Sequence, residues 1–128
     1  MILGEHRTAI VLAKLRWNLT GIRLAAGERY FITAAGIWVD WFIPHGPDGD
    51  PSKNFYMRAV EHLRRMKDNN WFELIGALDS SIDAAFPIGS SCEYSPQEGG
   101  ELTCFANDIE EFYFNNYGKV SLTVRRIG

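Results

Sequence analysis

The stretch Lys119–Ile127, KVSLTVRRI, decides the fold class of this chain. Apolar and polar side chains alternate along it, with Val120, Leu122 and Val124 on one side and Ser121, Thr123 and Arg125 on the other. Successive side chains of a β-strand point to opposite faces of the sheet. The alternation therefore predicts a strand with one face buried and the other in solvent.

Upstream of this strand, short segments rich in β-branched, aromatic and leucine residues recur with turn residues between them. Strands are expected at Thr8–Leu12, Leu19–Leu24, Arg29–Val39, Trp71–Leu78, Ala84–Ile88, Ser91–Tyr94, Glu101–Ala106 and Lys119–Ile127. Many short strands separated by turns are typical of an all-β sandwich or barrel and not of a helical bundle.

One short helix is predicted over Tyr56–Lys67. Its apolar stripe consists of Met57, Val60, Leu63 and Met66, at the spacing of one helix face. The basic residues of the segment, which are Arg58, Arg64, Arg65 and Lys67, are interpreted as its solvated face.

Two connections are also predicted. Ile43–Lys53 contains three prolines and two glycines, and it is expected to be a surface loop of the kind that often carries sites. Ser95–Gly100, SPQEGG, is expected to be the loop of a hairpin. Cys92 and Cys104 flank that loop symmetrically, so they are either two buried thiols or a cross-strand disulfide.

The length and composition of the chain restrict the classes of function that it can have. A chain of 128 residues with a formal net charge of −3 has the size of one domain and lacks the basic surplus of nucleic-acid-binding proteins. No run reaches the roughly 18 to 20 apolar residues that span a bilayer. We therefore expect a single soluble domain, in the cytoplasm or released without a classical signal peptide.

The segment Asn107–Asn116, NDIEEFYFNN, crowds carboxylate and amide side chains between two predicted strands. Calcium takes six to eight oxygen ligands from such groups and from main-chain carbonyls. The segment lacks the spacing of an EF-hand. Composition alone therefore leaves two interpretations open, a calcium loop or an acidic turn.

The spacing within this segment resembles the calcium loop of the PA-IL-type galactophilic lectins. Asp108, a main-chain position four residues later at Phe112, and the pair Asn115 and Asn116 match that loop. Further matches are FITAAG at Phe31–Gly36, HGPDGD at His45–Asp50, IGAL at Ile75–Leu78, the Ser95-Pro96 turn and the strand Gly118–Val124. The resemblance covers the chain from about Arg7 onward.

This resemblance implies a jelly-roll-like β-sandwich of the galactose-binding-domain type over residues 1 to 128. It also implies a Ca²⁺ ion held by Asp108, Asn115, Asn116 and the carbonyl of Phe112. A distant strand end would supply one more carbonyl, from Asp40 or from its rival Trp41. Two sugar hydroxyls would complete the shell of the ion, and lectins of this family form homotetramers, so a homo-oligomer is expected.

The chain departs from the family at the residues that bind galactose. A histidine and a glutamine should follow the GPxGD loop, but PSKNFY stands at Pro51–Tyr56. Specificity for galactose itself therefore stays open. Among four tryptophans, Trp41 is expected beside the site, and Asp108, Phe112, Asn115, Asp40, Trp41 and His45 are the predicted ligand-binding residues.

The predicted function is calcium-dependent binding of a galactoside-like carbohydrate without catalysis. His45, Asp48 and Asp50 are candidate acid-base residues, but no nucleophile, base and orienting group are recognisable together. The adjacent acids Glu110 and Glu111 are expected to lower the local potential or to face solvent. The alternative function is an accessory or structural β-sandwich domain whose metal site is purely stabilising or lost.

Overall fold

The structure is a computed structural model that describes all 128 residues. Nine strands and one α-helix follow in the order β1 (His6–Leu12), β2 (Asn18–Leu24), β3 (Tyr30–Asp40), β4 (Ile43–His45), α1 (Phe55–Val60), β5 (Leu74–Leu78), β6 (Phe86–Pro87), β7 (Ser91–Tyr94), β8 (Gly100–Ala106) and β9 (Asn116–Arg126). Short 3-10 helices cover Glu61–Leu63, Ile82–Ala84 and Glu110–Asn115.

The strands form two antiparallel sheets. The first has the order β1-β9-β3-β4, with β7 also pairing with β3, and the second has the order β2-β8-β5-β6. Strands β3 and β9 pair without interruption from Tyr30 opposite Arg126 to Asp40 opposite Asn116. The predicted all-β sandwich with one short helix is confirmed.

The core lies between the two sheets and follows the predicted alternation. Val120, Leu122 and Val124 are fully buried, whereas Ser121 and Arg125 are exposed. These side chains belong to a continuous cluster of 16 buried residues that includes Trp38, so Trp38 is a core residue. Burial of apolar surface of this kind is the main favourable term in folding.

Asn18 joins the two sheets through hydrogen bonds of its buried amide. Its Oδ1 accepts from the Leu12 N–H at 2.8 Å, and its Nδ2 donates to the carbonyls of Leu12 at 3.0 Å and Cys104 at 3.1 Å. Leu12 ends β1 in one sheet and Cys104 lies on β8 in the other. One side chain thus satisfies main-chain groups from both layers.

Several predicted element boundaries were wrong. Ile43–His45 is not loop but the short strand β4, because it pairs with Trp38–Asp40 at the end of β3. The connection Ser95–Gly100 is not a hairpin, because β7 pairs with β3 in one sheet and β8 pairs with β2 and β5 in the other. Cys92 and Cys104 therefore lie on different sheets, and both are free thiols.

The helix is also shorter than the predicted Tyr56–Lys67. Asn54 caps α1 by accepting a hydrogen bond from the Met57 N–H, and regular α-helix ends at Val60. The chain then leaves helical geometry at Arg64, which is extended and forms a β-bridge with Ile109. Pairing with the segment after β8 replaces the last helical turn.

Arg65 does not belong to a solvated helix face, as the sequence suggested. Its side chain is 6% exposed, and its guanidinium lies 3.6 Å from the ring centroid of Phe105 and 4.7 Å from that of Trp17. It also pairs with Glu110, Nε to Oε2 at 3.2 Å. An arginine that is stacked on aromatic rings and paired with a carboxylate stabilises the packing of the segments that it joins.

The excursion from Pro51 to Asn70, which carries α1, is closed at its base. Asp50 and Trp71 exchange two main-chain hydrogen bonds of 2.9 Å. Gly49 fits beneath them because it has φ +63° and because a Cβ atom there would lie 2.1 Å from the Trp71 carbonyl oxygen. Only glycine meets both conditions without strain.

No helix in the structure has the length and apolar character needed to cross a membrane.

Replacing Asn18 with alanine should lower the free energy of unfolding by about 2 kcal/mol, because main-chain groups of both sheets lose buried partners. Urea denaturation measures the change. Leu19→Ala is the matched control, since Leu19 is 71% exposed on the same strand and should change stability little. Equal stabilities for Asn18→Ala and Leu19→Ala would contradict the assigned role.

Candidate metal and ligand site

The candidate site lies where β3 ends and β9 begins. Asp40 is the last residue of β3 and stands opposite Asn116, the first residue of β9. The next residue, Trp41, donates its N–H to the Asn115 carbonyl at 3.0 Å. The predicted loop between Asn107 and Asn116 is largely the 3-10 helix Glu110–Asn115. The strand pairing therefore brings Asp40 and Trp41 to the oxygen-rich segment, 66 and more positions away along the chain.

Three side-chain oxygens of this segment are buried without any hydrogen-bond partner: Asp108 Oδ2, Asn115 Oδ1 and Asn116 Oδ1. The fourth such atom of the chain is His45 Nε2. Asp108 and Asn116 are 2% and 1% exposed, so bulk solvent does not reach these oxygens. Buried polar atoms in native proteins are almost always paired, and carboxylate and amide oxygens such as these three are of the donor type that calcium prefers.

The remaining polar atoms of the same side chains are occupied, which fixes their orientation. Asp108 Oδ1 accepts from the Ile109 N–H at 2.7 Å. Asn116 Nδ2 donates to the Ala13 carbonyl at 3.3 Å. Because one polar atom of each side chain is held by a hydrogen bond within the protein, the remaining oxygen points its lone pairs away from that hydrogen-bond partner.

Two acids share this environment. The pKa of Asp108 is raised to about 7, chiefly by burial and next by the charge of Asp40, while the hydrogen bond from Ile109 and the nearby Asn116 amide oppose the shift. Burial also raises the pKa of Asp40, against the effect of His45. Such shifts record the cost of keeping two nearby carboxylates ionised without a counter-charge.

A cavity of about 430 Å³ opens beside these acids. It is lined by 14 residues, which are Asp40, Trp41, Phe42, Ile43, Asn54, Tyr56, Met57, Val60, Trp71, Asp108, Ile109, Phe112, Phe114 and Asn115. Five of the seven residues predicted from the sequence as metal or ligand contacts line it. Asn116, which follows Asn115 in the sequence, is buried but does not line the cavity. His45 does not line the cavity either.

His45 lies inside the sandwich instead of at the cavity. Its side chain has no exposed surface, it stacks on Phe72 with ring centroids 5.0 Å apart, and its Nδ1 contacts Asp50 Oδ2 at 2.6 Å. Burial lowers its pKa, while Asp50 opposes the shift. His45 is therefore a buried residue of β4 that does not line the cavity.

Trp41 presents its ring to the cavity from a strained backbone. Its φ is 58°, in the left-handed region that is unfavourable for bulky residues, and its side chain is 64% exposed. The ring contacts Phe42 with centroids 4.5 Å apart. Strained residues that persist beside a cavity are common at ligand sites.

Sequence reasoning missed the role of Asn107, which it counted only among the oxygen-bearing residues. The Asn107 side chain is fully buried; its Oδ1 accepts from the Met66 N–H at 2.9 Å, and its Nδ2 donates to the carbonyls of Met66, Asn69 and Asn70. It therefore fastens the excursion that carries α1 to the start of the oxygen-rich segment. Because its amide is fully hydrogen-bonded, Asn107 differs from Asn115 and Asn116, whose side-chain oxygens have no partners.

The exposed aromatic residues around the cavity were also missed. Phe42, Tyr56 and Phe114 line it and are 66%, 65% and 77% exposed. The sequence signal was present in the clusters NFY at 54–56 and FYF at 112–114, which alternation alone would have assigned to a core. Glu110, by contrast, points to Arg16 and Arg65, and Glu111 is exposed.

Comparison with known proteins gives one informative likeness. No protein-family model and no curated protein sequence matches the chain. Among solved structures, the chain is similar to the EclA N-terminal domain, a PllA-like lectin, with 25% sequence identity and a TM-score of 0.68 over 93% of this chain and 94% of that one. The chain therefore has the fold of a lectin domain.

A second solved structure, the IMPa metallopeptidase in complex with T-antigen, aligns with 12% identity and a TM-score of 0.46 over 98% of this chain but only 13% of its own length.

The acid pair predicts an unusual pH dependence of the metal-free protein. The pKa of Asp108 is about 7 in the folded chain and about 3.9 when unfolded. The folded state thus binds the proton more tightly, and this stabilisation is lost as pH rises through 7. In chelator, lowering the pH from 8 to 5.5 should raise the contribution of Asp108 to the free energy of unfolding by about 2 kcal/mol.

Asp108→Asn isolates this effect, because the variant keeps the shape of the side chain and removes its charge. At pH 8 in chelator the variant should be more stable than wild type, and the difference should shrink toward pH 5.5. His45, whose pKa is lowered, destabilises both proteins equally as pH falls, so it cancels in the comparison. A pH-independent difference in urea denaturation would contradict the raised pKa.

Proposed function

We propose that this chain binds carbohydrate of the galactoside type through a calcium ion, without transforming it chemically. The side chains of Asp108, Asn115 and Asn116 hold the ion, and the Asp40 carboxylate contributes to its shell or neutralises it. Main-chain carbonyls at Phe112 and at the end of β3, from Asp40 or Trp41, are the further donors.

The observation that carries the proposal is the identity of the unpaired atoms. The three predicted side-chain ligands of calcium are the three residues whose oxygens are buried without partners. An ordinary acidic turn would satisfy these oxygens with main-chain N–H groups or solvent. Their joint lack of partners beside a second carboxylate favours a cation site.

The chemistry of the donors favours calcium among the biological cations. All of the proposed ligands are hard oxygens, and none is a sulfur or nitrogen atom. Two of them, from Asp108 and Asp40, are carboxylates. Calcium prefers six to eight such donors, whereas zinc prefers nitrogen and sulfur. Three side chains and two carbonyls leave room in this shell for exogenous oxygens.

The sugar is proposed to occupy the cavity beside these oxygens. A bound calcium ion would accept two vicinal sugar hydroxyls in place of water. Asp108 and Asn115 line the same cavity, so their oxygens can also accept hydrogen bonds from those hydroxyls. The exposed ring of Trp41 offers an apolar surface for the C–H face of a sugar.

The similarity to a lectin domain along nearly the whole chain supports carbohydrate binding. The burial of His45 argues against catalysis by the His45 and Asp50 pair, since a general base must reach the proton that it abstracts. A single shallow site of this kind binds a monosaccharide modestly, so we propose that several copies act together in a homo-oligomer.

Calcium should raise the melting temperature of the wild-type protein, because the folded state alone presents the assembled oxygens. Excess calcium at 100 times its dissociation constant adds about 2.7 kcal/mol. Asp108→Asn and Asn115→Ala should abolish the shift. Glu111→Gln, which changes an exposed acid of the same segment, should retain it, and an unchanged wild-type melting curve in calcium and chelator would refute the metal site.

Binding of galactosides should depend on the same atoms. Titration calorimetry with methyl galactoside in calcium should give heat that disappears in chelator and in Asn115→Ala but survives in Glu111→Gln. A calcium-dependent melting shift without binding of any sugar on a glycan array would favour the alternative, a structural domain with a stabilising ion.

A further inference from the structure

We infer that two copies of this chain pair through the open edges of their β1 strands, antiparallel and about a twofold axis at Thr8. This pairing joins the first sheets of the two copies into one continuous sheet. The inference goes beyond the proposed homo-oligomer because it assigns the interface. It rests on main-chain geometry and not on the binding of calcium or sugar.

Four of the five edge strands carry a feature that blocks pairing with a further strand. β4 has three residues and contains Pro44, β6 has two residues and contains Pro87, and β7 has only four residues. The pairing of β2 with β8 shifts register between Leu19 and Arg23. Short strands, prolines and bulges are features by which natural proteins prevent association at sheet edges.

The fifth edge strand, β1, has none of these features. It pairs with β9 in one uninterrupted register from His6 to Leu12, and these seven residues include no proline. Thr8 and Ile10 are exposed, and Ile10 is 52% exposed. A long edge strand of this kind, with exposed apolar side chains, is a template for pairing with another strand.

The open edge of β1 consists of the main-chain groups of alternate residues. At the two ends of the strand, the Arg126 N–H donates to the Glu5 carbonyl at 3.0 Å, and the Ala13 N–H donates to the Gly118 carbonyl at 3.1 Å. Alternate residues of an antiparallel strand bond to the same neighbour, so the odd-numbered residues of β1 face β9. The main-chain groups of the even-numbered residues therefore point away from the sheet.

Asn18 closes one end of this edge and thereby fixes the register of pairing. Its side chain binds both the N–H and the carbonyl of Leu12, so His6, Thr8 and Ile10 remain open. A second β1 strand that bonds to all three residues must place Thr8 opposite Thr8 and His6 opposite Ile10. Each of these residue pairs then exchanges two main-chain hydrogen bonds.

The side chains are compatible with this register. Thr8 faces its counterpart across the axis, and Thr–Thr pairs between adjacent strands are favourable. Arg7 stands diagonally opposite its counterpart, but Glu5 of the same chain pairs with it at 2.9 Å. The register also brings Leu3, which is 66% exposed, to the turn after β1 of the other copy, where Leu15 is 43% exposed.

A proline at the axis tests the interface. Sedimentation equilibrium of the wild-type chain, in chelator and without sugar, should show a reversible dimer. Thr8→Pro should weaken this dimer by at least about tenfold, because it removes two hydrogen bonds across the axis. Proline is tolerated where the N–H of an edge strand faces solvent, so the melting temperature of the monomer should stay close to that of wild type.

A matched pair of lysine substitutions supplies the control and leaves the main chain intact. Ile10→Lys should also weaken the dimer, because a lysine on an edge strand opposes the approach of a further strand. Ile37→Lys should leave the dimer unchanged. Ile37 is 63% exposed on β3 of the same sheet, but β3 is not an edge strand at this position, where it pairs with β9.

Cysteine cross-linking tests the register. In the inferred pairing the Cα atoms of the two Thr8 residues lie about 5.5 Å apart, which is within the range that a disulfide bond spans. Oxidised Thr8→Cys should therefore form a covalent dimer. Ile10→Cys should not, because each Ile10 stands opposite His6 of the other copy.

Each contrary result is distinct. A wild-type chain that stays monomeric at every soluble concentration would overturn the inference. A dimer that survives both Thr8→Pro and Ile10→Lys would show that the interface lies elsewhere, and cross-linking of Ile10→Cys without Thr8→Cys would exclude the register. Thr8→Pro should retain the calcium shift and the binding of methyl galactoside, so these failures leave the proposed function standing. Loss of calcium or sugar binding would equally leave the dimer intact.

Discussion

The antiparallel pairing of β3 with β9 is the constraint on which the site depends. Eleven consecutive residue pairs, from Tyr30 opposite Arg126 to Asp40 opposite Asn116, run along the middle of one sheet. A slip by one residue would turn the buried Val120, Leu122 and Val124 toward solvent. Burial therefore fixes the register, and the same register sets the acid at the end of β3 against the first residue of β9. The core and the oxygen cluster are two results of one alignment.

The electrostatics of the site set it apart from the rest of the molecule. Elsewhere, buried polar side chains such as Asn18 and Asn107 use their donors and acceptors fully. At the junction of β3 and β9, oxygens of Asp108, Asn115 and Asn116 are left over. Satisfying these atoms within the protein would remove the positions assigned to the proposed cation, so the proposed site implies a competition between local stability and ligand binding.

Most of the fold could be predicted from local patterns because alternation and turn residues are local. The sheet assignment of β7 and β8 could not, since the turn residues of Ser95–Gly100 suit either a hairpin or a crossing between sheets. The helix boundary failed for a related reason: an apolar stripe extends to Met66, but long-range pairing of Arg64 with Ile109 takes over the chain. For the candidate site, the motif predicted Asp108, Phe112, Asn115 and Asn116, whereas the cavity wall arises from tertiary packing.

The closure of the excursion at Asp50 and Trp71 has a consequence for how this scaffold can diversify. Residues 51 to 70 leave and rejoin the sandwich at a single pair of main-chain hydrogen bonds, and Asn107 anchors them through main-chain atoms of Met66, Asn69 and Asn70. Both anchors bind main-chain atoms, whereas Met57 and Arg65 also fix the segment through their buried side chains. Only the solvent-facing positions of the segment, such as Phe55 at 81% exposed, are therefore free to change without loosening its attachment to the sandwich.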